Sequence, residues 1–290
     1  MIVTDKKYYM DNYYLSKLDL MIKRMAGTDD TILIIDGDEG QGKTELTVGT
    51  CYYVAYKTGR KYDVNNIFFE LDKGIEYAGK TSEQIIHLDE GALGLLSTQW
   101  WSKNQQKFLQ LVMIARKKKH FIAVCIPKFY KLNQYIIEER SIGLVHVYSD
   151  KNLHKGRFCY YSKNAKERLY QDWRRKRFKN YGKFYTFHGK FVKAINKVFT
   201  PEQEKEYETK KDKAIMNITK SDTLKNEKII EKDVVVKVYK KLRKNMPNIT
   251  VKEWAKGLGV TERTIVRYNA TEIKESLREN EEKDTEDTQL

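Results

Sequence analysis

Between residues 31 and 148, short apolar runs rich in β-branched side chains alternate with stretches of helical periodicity. Thr31-Ile-Leu-Ile-Ile-Asp36 reads as a buried strand, followed by a helix from Lys43 to about Lys57. Ile67-Phe-Phe69 predicts a short strand, and Gln84-Ile-Ile-His-Leu-Asp89 a second buried one. From Gln105 to Lys118, Phe108, Leu111, Val112 and the pair Ile114-Ala115 recur at helical spacing. Phe121–Ile126 and Gly143–Tyr148 complete the strands. Strands that are apolar throughout are covered on both faces, and strands separated by helices pair in parallel. The expectation is an α/β fold, a mostly parallel sheet flanked by helices.

The pattern changes after residue 200. No glycine occurs between Gly189 and Gly257, and Glu202 to Lys232 is strongly hydrophilic. This predicts a charged linker over 201–232, helical or flexible, that separates a domain at 1–200 from a small helical domain at 233–278, with an acidic tail at 279–290. In the small domain, Thr250-Val-Lys-Glu253 is a capping box that starts a helix through Trp254 and Ala255. Val260 and Thr261 restart a second helix, Glu262 to Asn269, after Gly257-Leu-Gly259. A preceding helix, Asp233 to Lys244, offers Val234, Val238 and Leu242 to a three-helix core. The small residue Ala255, Gly259 at the turn, and apolar Val260 and Ile265 give the spacing of an all-α helix-turn-helix domain. Its second helix would present Glu262, Arg263, Thr264 and Arg267 to a major groove. A protein-binding helical hairpin shares the pattern.

Gly37-Asp-Glu-Gly40-Gln41-Gly42-Lys43-Thr44 satisfies G-x-x-x-x-G-K-[ST] and sits between a strand and a helix, the context that this phosphate-binding loop requires. The glycines let successive N–H groups turn inward, and the helix that begins at Lys43 adds its positive end. Gly37, Gly40, Gln41, Gly42, Lys43, Thr44 and Glu45 are the expected nucleotide-binding residues. Lys43 would reach the β- and γ-phosphates of ATP, and Thr44 would ligate Mg²⁺. Asp38 and Glu39 must turn their carboxylates outward. The strand at 85–88 ends in Asp89-Glu90. Period two separates the two carboxylates, so Asp89 would hold Mg²⁺ and Glu90 would polarise the attacking water. His87, inside that strand, reads as a core histidine. For a cation on the transferred phosphoryl group the candidates are Arg116 and then Arg140, in cis or from a neighbouring subunit.

The loop, the acid pair, the Arg116 segment and the strand Phe121–Ile126 with Pro127 resemble the additional-strand P-loop ATPases of the FtsK–HerA superfamily, including viral genome-packaging and Zot-like ATPases. The likeness covers roughly residues 28 to 150. It implies a ring-forming, homo-oligomeric pump that moves double-stranded DNA, with portal or capsid proteins as further partners. Where that family has a polar sensor at the end of the following strand, this chain has Cys125 before Ile126-Pro127.

Charge supports a polyanionic partner. Of 290 residues, 55 are basic and 40 acidic, a net +15, and residues 151–197 hold fifteen Lys or Arg against Glu167 and Asp172. Eleven aromatics share that block, whose cations, Arg174, Arg175 and Arg177 among them, suit a DNA backbone. Its rings suit either base stacking or a small core. No run approaches 18 apolar residues, so no membrane segment is expected. Three scattered cysteines fit a reducing cytoplasm and exclude a disulfide scaffold. The reading is an ATP-driven DNA translocase, most specifically a packaging motor. The alternatives are a replication or transfer ATPase (helicase or loader) and an ATP-switched DNA-binding regulator.

Overall fold

Seven strands build the centre of the chain's first unit, in the order β4–β5–β6–β3–β7–β8–β9. They are β3 (Ile32–Asp36), β4 (Ile67–Phe68), β5 (Ile85–Leu88), β6 (Phe121–Ile126), β7 (Ser141–Tyr148), β8 (Arg157–Ser162) and β9 (Phe187–Lys190). A separate two-stranded ribbon pairs β1 (Ile2–Val3) with β2 (Tyr8–Tyr9). The computed structural model describes residues 2–3, 5–27, 31–89, 98–217, 239, 243, 249–258, 260–263 and 265–266. The chain divides into two units, Met1–Ile218 and Thr219–Leu290.

Strands β4, β5, β6, β3 and β7 are parallel, as continuous apolar runs between helices require, and β8 and β9 extend the sheet antiparallel. Alternate side chains feed two cores. Leu33, Ile35, Phe121, Ala123, Val145 and Val147 face one; Ile32, Ile34, Ile122, Val124 and Leu144 face the other. Helices α1 (Asn12–Ala26) and α2 (Lys43–Thr58) contribute to the first core, and α3 (Leu71–Lys80), α4 (Thr98–Lys117) and α5 (Lys163–Lys176) to the second. The expected α/β architecture is present: a mostly parallel sheet with helices on both faces. The loop strand β3 and the acid strand β5 are separated by β6, so one additional strand stands between them.

In two segments the structure selects between alternatives that the sequence left open. The basic block at 151–197 supplies β8, α5 and β9, and its Phe158, Tyr160, Tyr161 and Tyr170 are buried. Those rings close a core and do not stack on bases; of the block's rings Phe178 is the most exposed, at 67%. Residues 201–217, the start of the expected connector, take its helical form as α7, which follows the short α6 (Ile195–Val198) and belongs to the first unit. Thr200 and Gln203 cap it reciprocally, Thr200 N–H to Gln203 Oε1 at 3.0 Å and Gln203 N–H to Thr200 Oγ1 at 3.3 Å, with Pro201 in the first turn. Tyr207 and Ala214, seven residues apart, are its buried positions in the first core.

In the second unit, α8 (Val251–Gly257) begins with the predicted capping box of Thr250 and Glu253. Trp254, Ala255 and Ile265 are buried together with Tyr239, whose ring meets Trp254 edge-on at 5.2 Å. Val234, Val238, Leu242, Gly259, Thr264, Arg267 and the acidic tail lie outside the described residues.

Candidate functional site

The C-terminal ends of the parallel strands carry the chemistry. From Asp36 the chain enters the loop Gly37–Gly42 and then α2. Gly37, Gly40 and Gly42 take φ of +148°, +72° and +97°, values that side chains disfavour, and Gly42 caps α2 in the left-handed region. This is how the loop turns its N–H groups inward at a helix N-terminus, the arrangement that accepts a phosphate chain. Asp38 and Glu39 are exposed, as expected. The buried Lys43 donates its ammonium to the Asp38 carbonyl at 2.8 Å, so it spans the loop from within.

Thr44 and Asp89 come together from α2 and the end of β5. The Thr44 hydroxyl lies 3.4 Å from Asp89 Oδ1, and Asp89 is 2% exposed. A hydroxyl and a carboxylate beside a phosphate loop are a hard, all-oxygen donor set, which fits Mg²⁺. Among the described residues there is no cluster of three or more His, Cys, Asp or Glu that would suit another metal. Glu90, the expected water-activating residue, lies outside the described residues.

The sequence reading missed Tyr207. From α7 its hydroxyl donates to Asp89 Oδ2 at 2.9 Å, with the ring 5.6 Å from that of Phe69. Burial, and then the Asp89 carboxylate, push the phenol far above its ordinary range, so it remains a donor. Cys125, at the expected sensor position, is buried within electrostatic reach of that phenol.

A second cluster fixes the strand end from which the loop springs. Buried Asp36 accepts from the Phe129 N–H at 3.2 Å and from the Tyr181 hydroxyl, and its Oδ1 lies 2.9 Å from His146 Nδ1. The His146 and Tyr181 rings stack at 3.5 Å and 4°. Asp36 thereby ties β3 to β7, to the segment after β6 and to the aromatic stretch before β9. Beyond β7, the Ser149 hydroxyl donates to Gln41 Oε1. A Cβ on Gly40 would lie 3.9 Å from Lys155 Nζ, so the β7–β8 turn brings a lysine to the loop that sequence spacing did not reveal.

Other expected residues fall elsewhere. Glu45 gives its carboxylate to the Ala194 and Ile195 N–H groups at 2.7 and 2.9 Å, so its side chain anchors α6. Arg116, near the end of α4, and Arg140, just before β7, precede strands parallel to β3, in which Ile122 and Ser141 lie level with Ile32. They sit at the far end of the sheet, about 16 Å of strand from the loop, which excludes action in cis. Arg140 is also buried, donating to the Tyr135 hydroxyl at 3.1 Å and the Val112 carbonyl at 3.4 Å, so it serves packing and is no finger. Arg116 is exposed. His87 is the core histidine expected, with Nδ1 2.9 Å from the Tyr62 hydroxyl.

Arg174, Arg175 and Arg177 are exposed at the end of α5. Trp173 beside them packs 5.1 Å from Tyr130, and Tyr130 5.2 Å from Tyr181, which bonds Asp36; the cations therefore lie on the loop end of the sheet. Arg174 donates to Gln134 Oε1 at 2.6 Å, and Arg177 covers the Trp173 ring at 5.6 Å. In the second unit Arg263 is exposed.

No protein-family model matches the sequence, and no curated protein matches it. Among solved structures, a chain of the E. coli MS115-1 HORMA:CdnC:Trip13 complex is similar at TM-score 0.36 and 12% identity, over 49% of this chain and 63% of that one. The replication initiator DnaA bound to AMPPCP and single-stranded DNA is similar at TM-score 0.34 and 12% identity, over 97% and 92%. AMPPCP-bound DnaA from Aquifex aeolicus gives 0.34 and 11%, over 96% and 93%. Likenesses this loose carry no functional argument, and the fold rests on the strand order and loop geometry above.

Proposed function

We propose that this chain is an Mg²⁺-dependent ATPase that works on double-stranded DNA, and specifically a homo-oligomeric translocase of the kind that packages a viral genome against portal and capsid proteins. The observation that carries the ATPase reading is the convergence of the Gly37–Thr44 loop, Lys43 within it, and the Thr44 hydroxyl against Asp89. Lys43 and the loop N–H groups would hold the phosphates, and Thr44 and Asp89 would hold Mg²⁺, which supplies charge neutralisation at the phosphoryl group. Glu90 follows Asp89 directly in sequence and is assigned the attacking water. With Arg140 engaged in packing, an arginine finger would come from Arg116 of a neighbouring subunit.

The DNA assignment rests on the exposed Arg174, Arg175 and Arg177, placed at the loop end of the sheet and suited to a phosphate backbone without sequence preference. Arg263, with Thr264 and Arg267, is assigned to site selection by the second unit as a helix-turn-helix.

The test is ATP turnover with and without duplex DNA across a salt series, alongside a triplex-displacement assay for movement along DNA. The reading expects stimulation that falls steeply with salt, triplex displacement, and loss of stimulation by every DNA when the three arginines are reversed to glutamate. Glu90→Gln should keep ATP binding and lose turnover. Strand unwinding in place of triplex displacement would favour a helicase. ATP-dependent DNA binding with no turnover in the wild type would favour a regulator.

A further inference from the structure

Asp89 is a buried carboxylate whose two oxygens face different partners. Oδ1 is on the Thr44 side at 3.4 Å, and Oδ2 takes the Tyr207 hydroxyl at 2.9 Å. A charged oxygen away from water needs a donor to hold both its charge and its direction. Tyr207 is placed for this by more than one contact. Its ring rests on Phe69 in the segment before α3, and it is itself 2% exposed. One turn further along α7, Lys210 donates to the Val64 carbonyl at 3.4 Å and to Asn65 Oδ1 at 3.2 Å, across the face on which Tyr62 meets the acid strand. The start of the helix is set by the Thr200–Gln203 cap. The hydroxyl is thus delivered to Asp89 by a helix fixed at its beginning and along its length.

We infer that Tyr207 is a positioning residue for the metal-ligating carboxylate: by holding Oδ2 it sets Oδ1 toward Thr44, and it joins loading of the phosphate-loop site to the seating of α7. This rests on the reading of Thr44 and Asp89 as the Mg²⁺ pair. Partners that orient a metal-ligating side chain are typically worth about ten- to hundredfold in metal affinity. Linkage makes the effect reciprocal: if the bond from α7 strengthens cation binding, cation binding strengthens the hold on α7 by the same factor. The helix is the last described element of the first unit, and the second unit begins at Thr219.

The variant is Tyr207→Phe in the full-length protein, which keeps the ring against Phe69 and removes only the hydroxyl. Mn²⁺ serves as the probe, titrated by electron paramagnetic resonance in the presence of a non-hydrolysable ATP analogue. Binding of the analogue alone is measured in EDTA, and amide hydrogen exchange is followed over residues 201–217. The expected result is Mn²⁺ affinity about tenfold weaker or more in the variant, with analogue binding in EDTA unchanged. Exchange in 201–217 should slow on loading with Mn²⁺ and analogue in the wild type and should respond less in the variant. Equal Mn²⁺ affinities, or α7 exchange indifferent to loading, would overturn the inference. An equal loss of analogue binding in EDTA would overturn it too, because it would show a general packing role. If the wild type binds neither analogue nor Mn²⁺, the nucleotide-site reading itself has failed and the inference falls with it.

Discussion

At Gly37 the chain leaves β3 with φ +148°, and a Cβ there would lie 2.3 Å from the Val147 carbonyl oxygen. Both facts arise because the loop passes backbone to backbone over the end of β7. Gly37→Ala should therefore cost about 3 kcal/mol, combining a disfavoured backbone with a steric clash. Gly59→Ala is the control. It has φ +70° at the end of α2 but nothing within 4 Å, so it should cost about 1 kcal/mol, and denaturant midpoints compare the two. A second residue-scale expectation concerns pH. Burial holds the His120 imidazole below its ordinary pKa of 6.5, and its neutral form bridges two backbone groups. Nδ1 accepts the Gln84 N–H at 3.0 Å and Nε2 lies 3.0 Å from the Ala78 carbonyl. The unfolded chain binds the proton first, so this contribution is complete above pH 6.5 and is lost as pH falls through the lower folded value. His120→Gln should flatten the fall in stability between pH 7 and 5; an unchanged slope would refute the assignment. Neither His120 nor the Asp36–His146–Tyr181 cluster was legible in sequence, because their side-chain hydrogen-bond partners lie 36 to 145 residues away. Gly37, Lys43 and Thr44 were legible, because a loop followed by a helix states its demands within eight residues.

The strands were read well for a similar reason: β3, β5 and β6 are buried on both faces, so each announces itself as a mainly apolar run, interrupted only by His87 in β5 and closed by Asp36 in β3. Helix α7 is the opposite case. It buries Tyr207 and Ala214 and exposes most other positions, so its composition imitates a linker. The Thr200-Pro-Glu-Gln203 cap was the signal available for it. The placement of Arg116 was also latent in the sequence, since residues that precede a parallel strand lie at the end opposite its C-terminal loops. A chain ending at residue 217 should keep the first unit's thermal midpoint and its nucleotide binding. A chain ending at residue 200 leaves Phe69 and Asp89 without Tyr207. Loss of that buried ring alone predicts about 3 kcal/mol of destabilisation and a lowered midpoint by calorimetry. Equal midpoints for the two truncations would show that α7 is not part of the fold.

At the scale of the molecule, the net charge of +15 divides by role. Lys43 is buried inside the phosphate loop, while the end of α5 carries its arginines on the surface at the same end of the sheet. No described helix is long and apolar enough to cross a membrane. On the proposed function, a basic surface beside the phosphate loop is what an ATPase would need for its chemistry to act on a bound polyanion. All of this depends on the loop holding a nucleoside triphosphate. Isothermal titration of Mg²⁺·ATP into the wild type and Lys43→Ala, with turnover measured on the same samples, tests that directly. Removing a charge-assisted contact predicts binding weaker by about tenfold or more and turnover lost, with the fold intact by circular dichroism. Equal binding and equal turnover in the two proteins would contradict the account.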